Sequence, residues 1–272
     1  MSLTRATPLV LIGAGKMGTA MAGGWLAKGL PPHGLTLVDP SPAEAVIEFA
    51  RKHGVQIADA VPRESARVIV LAVKPQVMGE VMGDAAMAVG PDTLVVSIAA
   101  GIPMAKLSAG TGTHRVVRVM PNTPAQIGKG ISGAYAGDIS AEDRDVATAL
   151  LEAAGRVVWV DNETDIDAVT SVSGSGPAYV FHLVEALAAA GEAEGLPAET
   201  AMALARQTII GAAGLLEEDD WIPAAKLREN VTSPKGTTAA ALDVLMANED
   251  GLRDLMRRAV HAARLRAEEL GQ

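Results

Sequence analysis

A polar loop near the end of the chain has residue types that could bind a small anion. Residues 230–238 read NVTSPKGTT and lie between two stretches of helical apolar spacing. Ser233 and Gly236 favour a turn, and Thr237 or Thr238 could cap the apolar run that follows. A turn that leads into a helix presents unpaired amide groups and a partial positive charge, which suits a carboxylate. On its own residues, however, the loop is better explained as a simple helix cap.

A second candidate site, for a dinucleotide, lies near the start of the sequence. Residues 13–18 read GAGKMG, follow an apolar strand pattern and begin a helical one. Glycines permit the tight turn and let backbone amides approach a pyrophosphate at the helix N-terminus. The motif therefore predicts dinucleotide binding rather than a tight turn without a ligand. The expected cofactor contacts are Gly13, Ala14, Gly15, Lys16 and Met17.

Asp39 follows the next predicted strand, in the segment LTLVDP, about twenty residues beyond the glycine turn. A carboxylate at this position accepts hydrogen bonds from a ribose 2′-hydroxyl and repels a 2′-phosphate. No arginine stands beside it to pair with such a phosphate. The cofactor is expected to be NAD(P)H, and Asp39 favours NADH.

The elements that must position these residues alternate between strand and helix. Strands are predicted at 8–12, 35–38, 68–73, 94–98, 115–120 and 156–160, and helices at 15–30, 42–53, 75–89, 103–108 and 141–154. Such alternation is typical of a mostly parallel sheet covered on both faces. The sequence predicts a Rossmann-like, doubly wound α/β domain over residues 1–162.

Residues 163–272 are predicted to form a second, all-helical domain. Apolar residues recur at helical spacing from Pro177 onward, and Gly195 and Pro197 end the first long helix. The two central helices carry few charges and have alanine and glycine on more than one face. A helix that is apolar nearly all round must be buried, and a domain of this size cannot surround two of them. A homo-oligomer built through these helices is therefore expected.

Composition excludes several other classes of function. The chain has 272 residues, 49% of them hydrophobic, and a formal net charge of −9, which argues against a nucleic-acid partner. It has no cysteine. His182 and Glu185 have a spacing that could hold half a metal site, but no second such pair appears, so no metal is expected. No secretory signal or membrane span is recognised, and the expected location is the cytoplasm.

Five segments together resemble the pyrroline-5-carboxylate reductases, which catalyse the last step of proline synthesis. They are GAGKMG at 13–18, AVKPQ at 72–76, MPNTPAQIGKG at 120–130, SGSGPAYVF at 173–181 and VTSPKGTT at 231–238. The pair SGSGPAY and V-T-S-P-x-G-T-T is specific to that family, whereas many dehydrogenases share the glycine turn. The resemblance covers nearly the whole chain.

The resemblance implies reduction of 1-pyrroline-5-carboxylate to L-proline, a helical dimerisation domain, and homodimers or a higher multiple of dimers. It implies that the loop Val231–Thr238 holds the substrate. The carboxylate would then bind Ser233, Gly236 and Thr237, and the Thr238 hydroxyl would hydrogen-bond the ring nitrogen as the catalytic contact. The residues implied to line the cofactor cleft are Ala72, Val73, Lys74, Pro75, Ser97 and Ala99.

The chain departs from the family pattern at two places near the loop. Lys235 replaces the first glycine of SPGGTT, so a positive φ there would cost about 1 kcal/mol. Trp221-Ile222-Pro223 stands where the family usually has a His-Pro pair, and no contact is transferred to that segment. Lys74 could serve as a general acid or base, but its position after a strand better suits a cofactor-side or structural role.

Two other functions fit parts of the pattern. One is a reductase of the same architecture that acts on another cyclic imine or a small hydroxyacid. The other is a nucleotide sensor that has lost its substrate site, and retention of the whole loop at 231–238 disfavours it.

Overall fold

The computed structural model describes residues 2–271, which fold into two compact units. Residues 2–175 and 263–271 form the first unit, and Gly176–Ala262 forms the second. The short helices that follow residue 163 stay with the first unit because Ile166 is buried and Val169 packs against Gly133 of the sheet. A functional boundary near residue 163 therefore stays a prediction, distinct from this structural division.

The first unit is built on an eight-stranded sheet. Its strands are β1 Leu9–Ile12, β2 Leu35–Val38, β3 Gln56–Ala58, β4 Ala66–Leu71, β5 Val89–Ser97, β6 Val116–Met120, β7 Gly130–Ala136 and β8 Gly155–Trp159. The order across the sheet is β3-β2-β1-β4-β5-β6-β7-β8. Neighbouring strands run parallel except for the antiparallel pair β6 and β7. The first six strands have the order of a Rossmann fold, as the sequence predicted.

Helices cover both faces of this sheet. They are α1 Lys16–Ala27, α2 Glu44–His53, α3 Met78–Ala86, α4 Met104–Thr111, α5 Ala141–Glu152 and α6 Asp165–Val169. One apolar core joins α1, α2 and α5 to one face, and a second joins α3 and α4 to the other. Trp25 of α1 is fully buried and donates its indole N–H to the Leu150 carbonyl of α5, 2.8 Å away. That bond fixes the helix that begins at the glycine turn.

A buried carboxylate on α5 pairs with arginines at the amino ends of β4 and β6, whereas the glycine turn lies at the carboxyl ends of the strands. Asp143 is fully buried, and its Oδ1 lies 2.9 Å from both Arg67 Nη2 and Arg115 Nη2. Arg115 Nε also donates to Asp143 Oδ2 at 2.9 Å. Burial raises the pKa of Asp143, but the hydrogen bonds from Arg115 and Arg67 outweigh it and leave that pKa below its usual value.

The second unit is helical, as predicted. Its helices are α7 Gly176–Ala193, α8 Ala198–Glu218, α9 Ala224–Asn230 and α10 Thr237–Leu245, with most of α11 Leu252–Leu270. Large apolar side chains stand exposed on α7 and α8, among them Phe181, Leu183, Leu204 and Ile210. No helix within residues 2–271 has the length and apolar content needed to cross a membrane.

Candidate active site

The glycine turn lies at the point where the sheet connections change face. The chain leaves β1 through α1 on one face of the sheet and leaves the adjacent β4 through α3 on the other. Ligands of doubly wound sheets bind beyond the carboxyl ends of the strands at such a switch point. Gly13 follows β1 there, Ala72 follows β4, and Ser97 ends β5.

The residues of the turn show why glycine is required. Gly13 has a φ of +97°, and a Cβ on it would lie 2.8 Å from the Ala72 carbonyl carbon. A Cβ on Gly18 would overlap the Gly13 carbonyl oxygen. Gly15 differs, because its φ is −68° and, within residues 2–271, nothing beyond its own neighbours in the chain lies within 4 Å of the place a Cβ would occupy. Gly13 and Gly18 are thus needed for packing, and Gly15 leaves open space.

The first turn of α1 offers donors for an anion. Gly15 is the N-cap residue, so no side chain caps the helix amides. The Thr19 hydroxyl donates back to the Gly15 carbonyl at 2.9 Å, which fixes the cap. Lys16 is exposed, Met17 is half-buried and Ala14 is buried. These residues fit a dinucleotide, since the uncapped amides and the space beside Gly15 suit its pyrophosphate.

Asp39 lies at the carboxyl end of β2, next to β1 in the sheet. Its amide donates to the Ala58 carbonyl of β3, and its Oδ1 accepts from the Ser41 amide, both at 3.0 Å. The side chain is half-buried. The carboxylate is therefore held in place at the position where a cofactor ribose is expected.

The remaining cofactor-side residues lie along the same edge. The Ala72 amide donates to the Ile12 carbonyl at 2.8 Å, while Ser97 and Ala99 are buried. Lys74 is exposed and precedes the short 3-10 helix Pro75–Val77. The structure thus brings the predicted cofactor residues together within one unit.

The polar loop of the second unit contains a tight turn. The Gly236 amide donates to the Ser233 carbonyl at 3.0 Å, so Pro234 and Lys235 are the central residues. Lys235 has a φ of +61°, the conformation of the third residue of a type II turn and one that favours glycine. A Cβ on Gly236 would overlap the Ser233 hydroxyl oxygen. A positive φ at this position is expected from the sequence to cost about 1 kcal/mol, and Lys235 does adopt a positive φ.

The threonines of this loop do not act as N-caps. The N-cap of α10 is Gly236, without a side-chain hydrogen bond, and Thr237 is already the first helical residue. The sequence suggestion that Thr237 or Thr238 caps the helix was therefore wrong. Among residues 2–271, neither of their hydroxyls nor that of Ser233 has a hydrogen-bond partner. Val231 and Ser233 are exposed, and Thr238 is half-buried.

Sequence reasoning missed a feature at the carboxyl end of β6. Residues Thr170–Gly174 form a π-helix, and Gly174 packs against the Met120 side chain. Such π-helical turns occur often at functional sites. The glycine–serine run that starts SGSGPAY was the available sign of irregular backbone. Nearby, Asn122 Oδ1 accepts from the Ile131 amide of β7 at 2.9 Å, so this side chain joins the two ends of the segment between β6 and β7.

His182 and Glu185 form an exposed hydrogen-bonded pair on α7. His182 Nδ1 lies 2.9 Å from Glu185 Oε2. Within the described part of the chain, no group of three or more metal-ligating side chains comes together.

Comparison with known proteins identifies what the chain resembles. The family model described as pyrroline-5-carboxylate reductase dimerisation matches residues 163–270, and the one described as NADP oxidoreductase, coenzyme F420-dependent, matches residues 8–101. A pyrroline-5-carboxylate reductase of Pseudomonas aeruginosa is 45% identical over 272 residues, covering 98% of each chain.

Two solved structures are similar over almost their whole length. A pyrroline-5-carboxylate reductase from Coxiella burnetii has a TM-score of 0.90 and 34% identity, covering 98% of this chain and 99% of that one. The enzyme of Plasmodium falciparum, solved with NADP bound, has a TM-score of 0.81 and 28% identity at the same coverage.

Proposed function

The chain belongs to the pyrroline-5-carboxylate reductase family and reduces 1-pyrroline-5-carboxylate to L-proline with a reduced nicotinamide cofactor. We propose which of its residues bind the cofactor and which bind the substrate. The glycine turn and Asp39 hold the cofactor, and the loop Val231–Thr238 holds the substrate. One observation carries the second assignment. Within residues 2–271, the hydroxyls of Ser233, Thr237 and Thr238 have no hydrogen-bond partner, and they lie beside the start of α10, which no side chain caps.

On the cofactor side, a bound reduced nicotinamide supplies the hydride. The pyrophosphate is held by amides of Gly15, Lys16 and Met17 at the start of α1, with Gly13 and Ala14 shaping the turn. The segment Ala72–Pro75, Ser97 and Ala99 lines the cleft towards the nicotinamide end, and Lys74 has a cofactor-side or structural role. Gly15 supports the pyrophosphate contact because the place of its missing Cβ is open in the described part of the chain.

On the substrate side, the carboxylate accepts hydrogen bonds from the Ser233 hydroxyl and from the Thr237 amide. Gly236, whose amide already donates to the Ser233 carbonyl at 3.0 Å, shapes the turn that presents them. Thr238 Oγ1 accepts the N–H of the protonated ring nitrogen. The protonated imine is already activated at its C=N carbon, so addition of hydride requires alignment more than a dedicated base. Binding and orientation by these residues therefore carry the rate.

The preferred cofactor is NADH. Asp39 would accept hydrogen bonds from both ribose hydroxyls, and its charge disfavours a 2′-phosphate. The structure supports this because the Ser41 amide orients one carboxylate oxygen, and the segment Asp39–Pro42 contains no cation.

The chain is divided into a first domain of residues 1–162 and a second of residues 163–272. The second domain joins copies of the chain into a homodimer or a higher multiple of dimers. Exposed apolar residues on α7 and α8 support this assignment, and the dimerisation family model matches residues 163–270. A cytoplasmic location is part of the proposal and is tested by fractionating cells.

One assay tests the function and the cofactor together. The protein is mixed with 1-pyrroline-5-carboxylate and either NADH or NADPH, and loss of the reduced cofactor's absorbance is followed. We expect turnover with both and higher kcat/KM with NADH. Small hydroxyacids assayed with oxidised cofactor are the control. If the protein oxidised the hydroxyacids and did not reduce the imine, the proposal would be contradicted.

A further inference from the structure

Lys235 adopts a backbone conformation that its residue type disfavours. Lys235 and Asp250 are the two non-glycine residues with positive φ among residues 2–271. Aspartate tolerates that region better, since its short side chain can hydrogen-bond locally. The turn itself would be served by glycine. The fold therefore does not explain why a lysine occupies this position.

The charge of Lys235 stands alone in its part of the chain. It is the only charged residue between Glu229 and Asp243, in a protein of net charge −9. Its side chain is exposed and has no ion pair within residues 2–271. Lys226, in the same unit, instead pairs with Glu229 at 3.4 Å. The free ammonium is thus available to a ligand.

The position of Lys235 puts that ammonium within reach of the proposed carboxylate site. Lys235 is two residues from Ser233 and two from Thr237, the proposed carboxylate donors, and neighbouring Cα atoms are about 3.8 Å apart. Lys235 is a central residue of the four-residue turn that begins at Ser233 and ends at Gly236. A lysine side chain is flexible, which lets its ammonium approach an anion bound by its neighbours.

We propose that Lys235 is a specificity-determining residue that favours substrates with a carboxylate, by placing its ammonium beside the carboxylate held at the Ser233–Gly236 turn. This inference rests on the proposed function of the loop. Because the contact is exposed and acts on a carboxylate that takes no part in hydride addition, it affects KM for the substrate and leaves kcat nearly unchanged.

The test compares two substrates that differ by the carboxylate. Lys235→Gly removes the charge and fits the positive φ, while Lys235→Asn removes the charge with a residue that tolerates this φ. Both should raise KM for 1-pyrroline-5-carboxylate about two- to fivefold, the range of an exposed ion pair. Neither should change kcat/KM for 1-pyrroline, which has no carboxylate. Lys235→Arg keeps the charge and should keep the low KM.

Salt provides a second readout that a structural role would not move. Raising ionic strength from about 0.01 M to about 1 M shortens the Debye length from about 30 Å to about 3 Å. The wild-type KM should rise by more than that of Lys235→Gly. Lys226→Gln is the matched control, because it removes the same net charge from an ion-paired lysine and should leave KM as in the wild type.

The possible results separate this inference from the function on which it rests. Wild-type turnover with unchanged KM in both neutral variants overturns the role of Lys235 and leaves the reductase function standing. Equal changes for the two substrates, or an equal effect of Lys226→Gln, also overturn it. Absence of turnover by the wild type with either cofactor overturns both.

Discussion

Gly13 lies directly against the backbone of Ala72: a Cβ on Gly13 would come within 2.8 Å of both the carbonyl carbon and the carbonyl oxygen of Ala72. These residues follow the adjacent parallel strands β1 and β4. The close approach draws the two strand ends together at the switch point of the sheet, where the cofactor is proposed to bind.

Two glycines of the turn should therefore respond differently to substitution. Gly13→Ala introduces a Cβ into occupied space at a φ of +97°, so we expect a loss of about 2 kcal/mol or more in the free energy of unfolding. At Gly15 the φ is −68° and a Cβ meets no crowding from other parts of residues 2–271, so Gly15→Asp should fold normally. Its charge opposes the pyrophosphate, which should weaken NADH binding by at least about 100-fold. Thermal unfolding and calorimetric titration with NADH measure the two effects, and normal NADH binding by Gly15→Asp would contradict the assignment.

Replacing Asp39 tests the preference for NADH. Asp39→Ser removes the carboxylate that is expected to bind the ribose hydroxyls, so kcat/KM with NADH should fall about tenfold or more while kcat/KM with NADPH rises. Glu44→Gln removes an exposed carboxylate at the start of α2 and serves as the control. A tenfold wild-type preference for NADPH would overturn the proposal.

Thr238→Ala tests the contact with the ring nitrogen. Loss of one hydrogen bond that orients the imine should lower kcat about tenfold, with a smaller effect on KM for NADH. Thr208→Ala, on the exposed surface of α8, is the control and should change neither constant. If Thr238→Ala left kcat and KM for the imine unchanged, the proposed contact would be wrong.

The exposed apolar residues of the second unit predict a mass larger than that of one chain. At micromolar concentration, light scattering should give a dimer or a multiple of it. Phe181 on α7 and Ile210 on α8 are 64% and 56% exposed, and replacing either by Glu should shift the protein towards monomer because a charge would be buried unpaired. Gln56→Glu, at an exposed position of β3 in the first unit, should leave the mass unchanged. A monomeric wild type would remove the claim.

The sequence predicted the parts of the fold that have a clear periodicity. The doubly wound order, the helical second part and the helix after the polar loop are confirmed. Strands β3 and β7 were not predicted. Strand β3 has three residues, and β7 contains Gly130 and Gly133, a residue type depleted in strands. Those glycines are required by close packing against Ala125 and Val169, which no local pattern encodes.

The candidate site was predictable wherever one residue type has one physical reason to be present. Gly13 is such a case, because its positive φ restricts the residue type, whereas a positive φ at Lys235 was only a possibility raised by the glycine of the family pattern. The N-cap of α10 was not, since Gly236, Thr237 and Thr238 all suit that position and the choice depends on the Ser233–Gly236 turn. The π-helix ends at Gly174, which packs against the Met120 side chain, a contact distant in sequence that no local pattern encodes.

Asp143 makes the stability of the first unit sensitive to acid. Its pKa in the folded protein is depressed, so its ion pairs contribute fully above the unfolded value of about 3.9 and are lost as pH falls through the folded value. Asp143→Asn leaves Arg67 and Arg115 without their anion and should cost about 3 kcal/mol at neutral pH. In urea unfolding at fixed protein concentration, the difference in free energy of unfolding between wild type and Asp143→Asn should stay constant down to about pH 5. That difference should narrow below about pH 4. Asp145→Asn replaces an exposed carboxylate on the same helix and should leave the free energy of unfolding as in the wild type. If the loss of free energy of unfolding in Asp143→Asn were the same at all pH values, the ion-pair explanation would be contradicted.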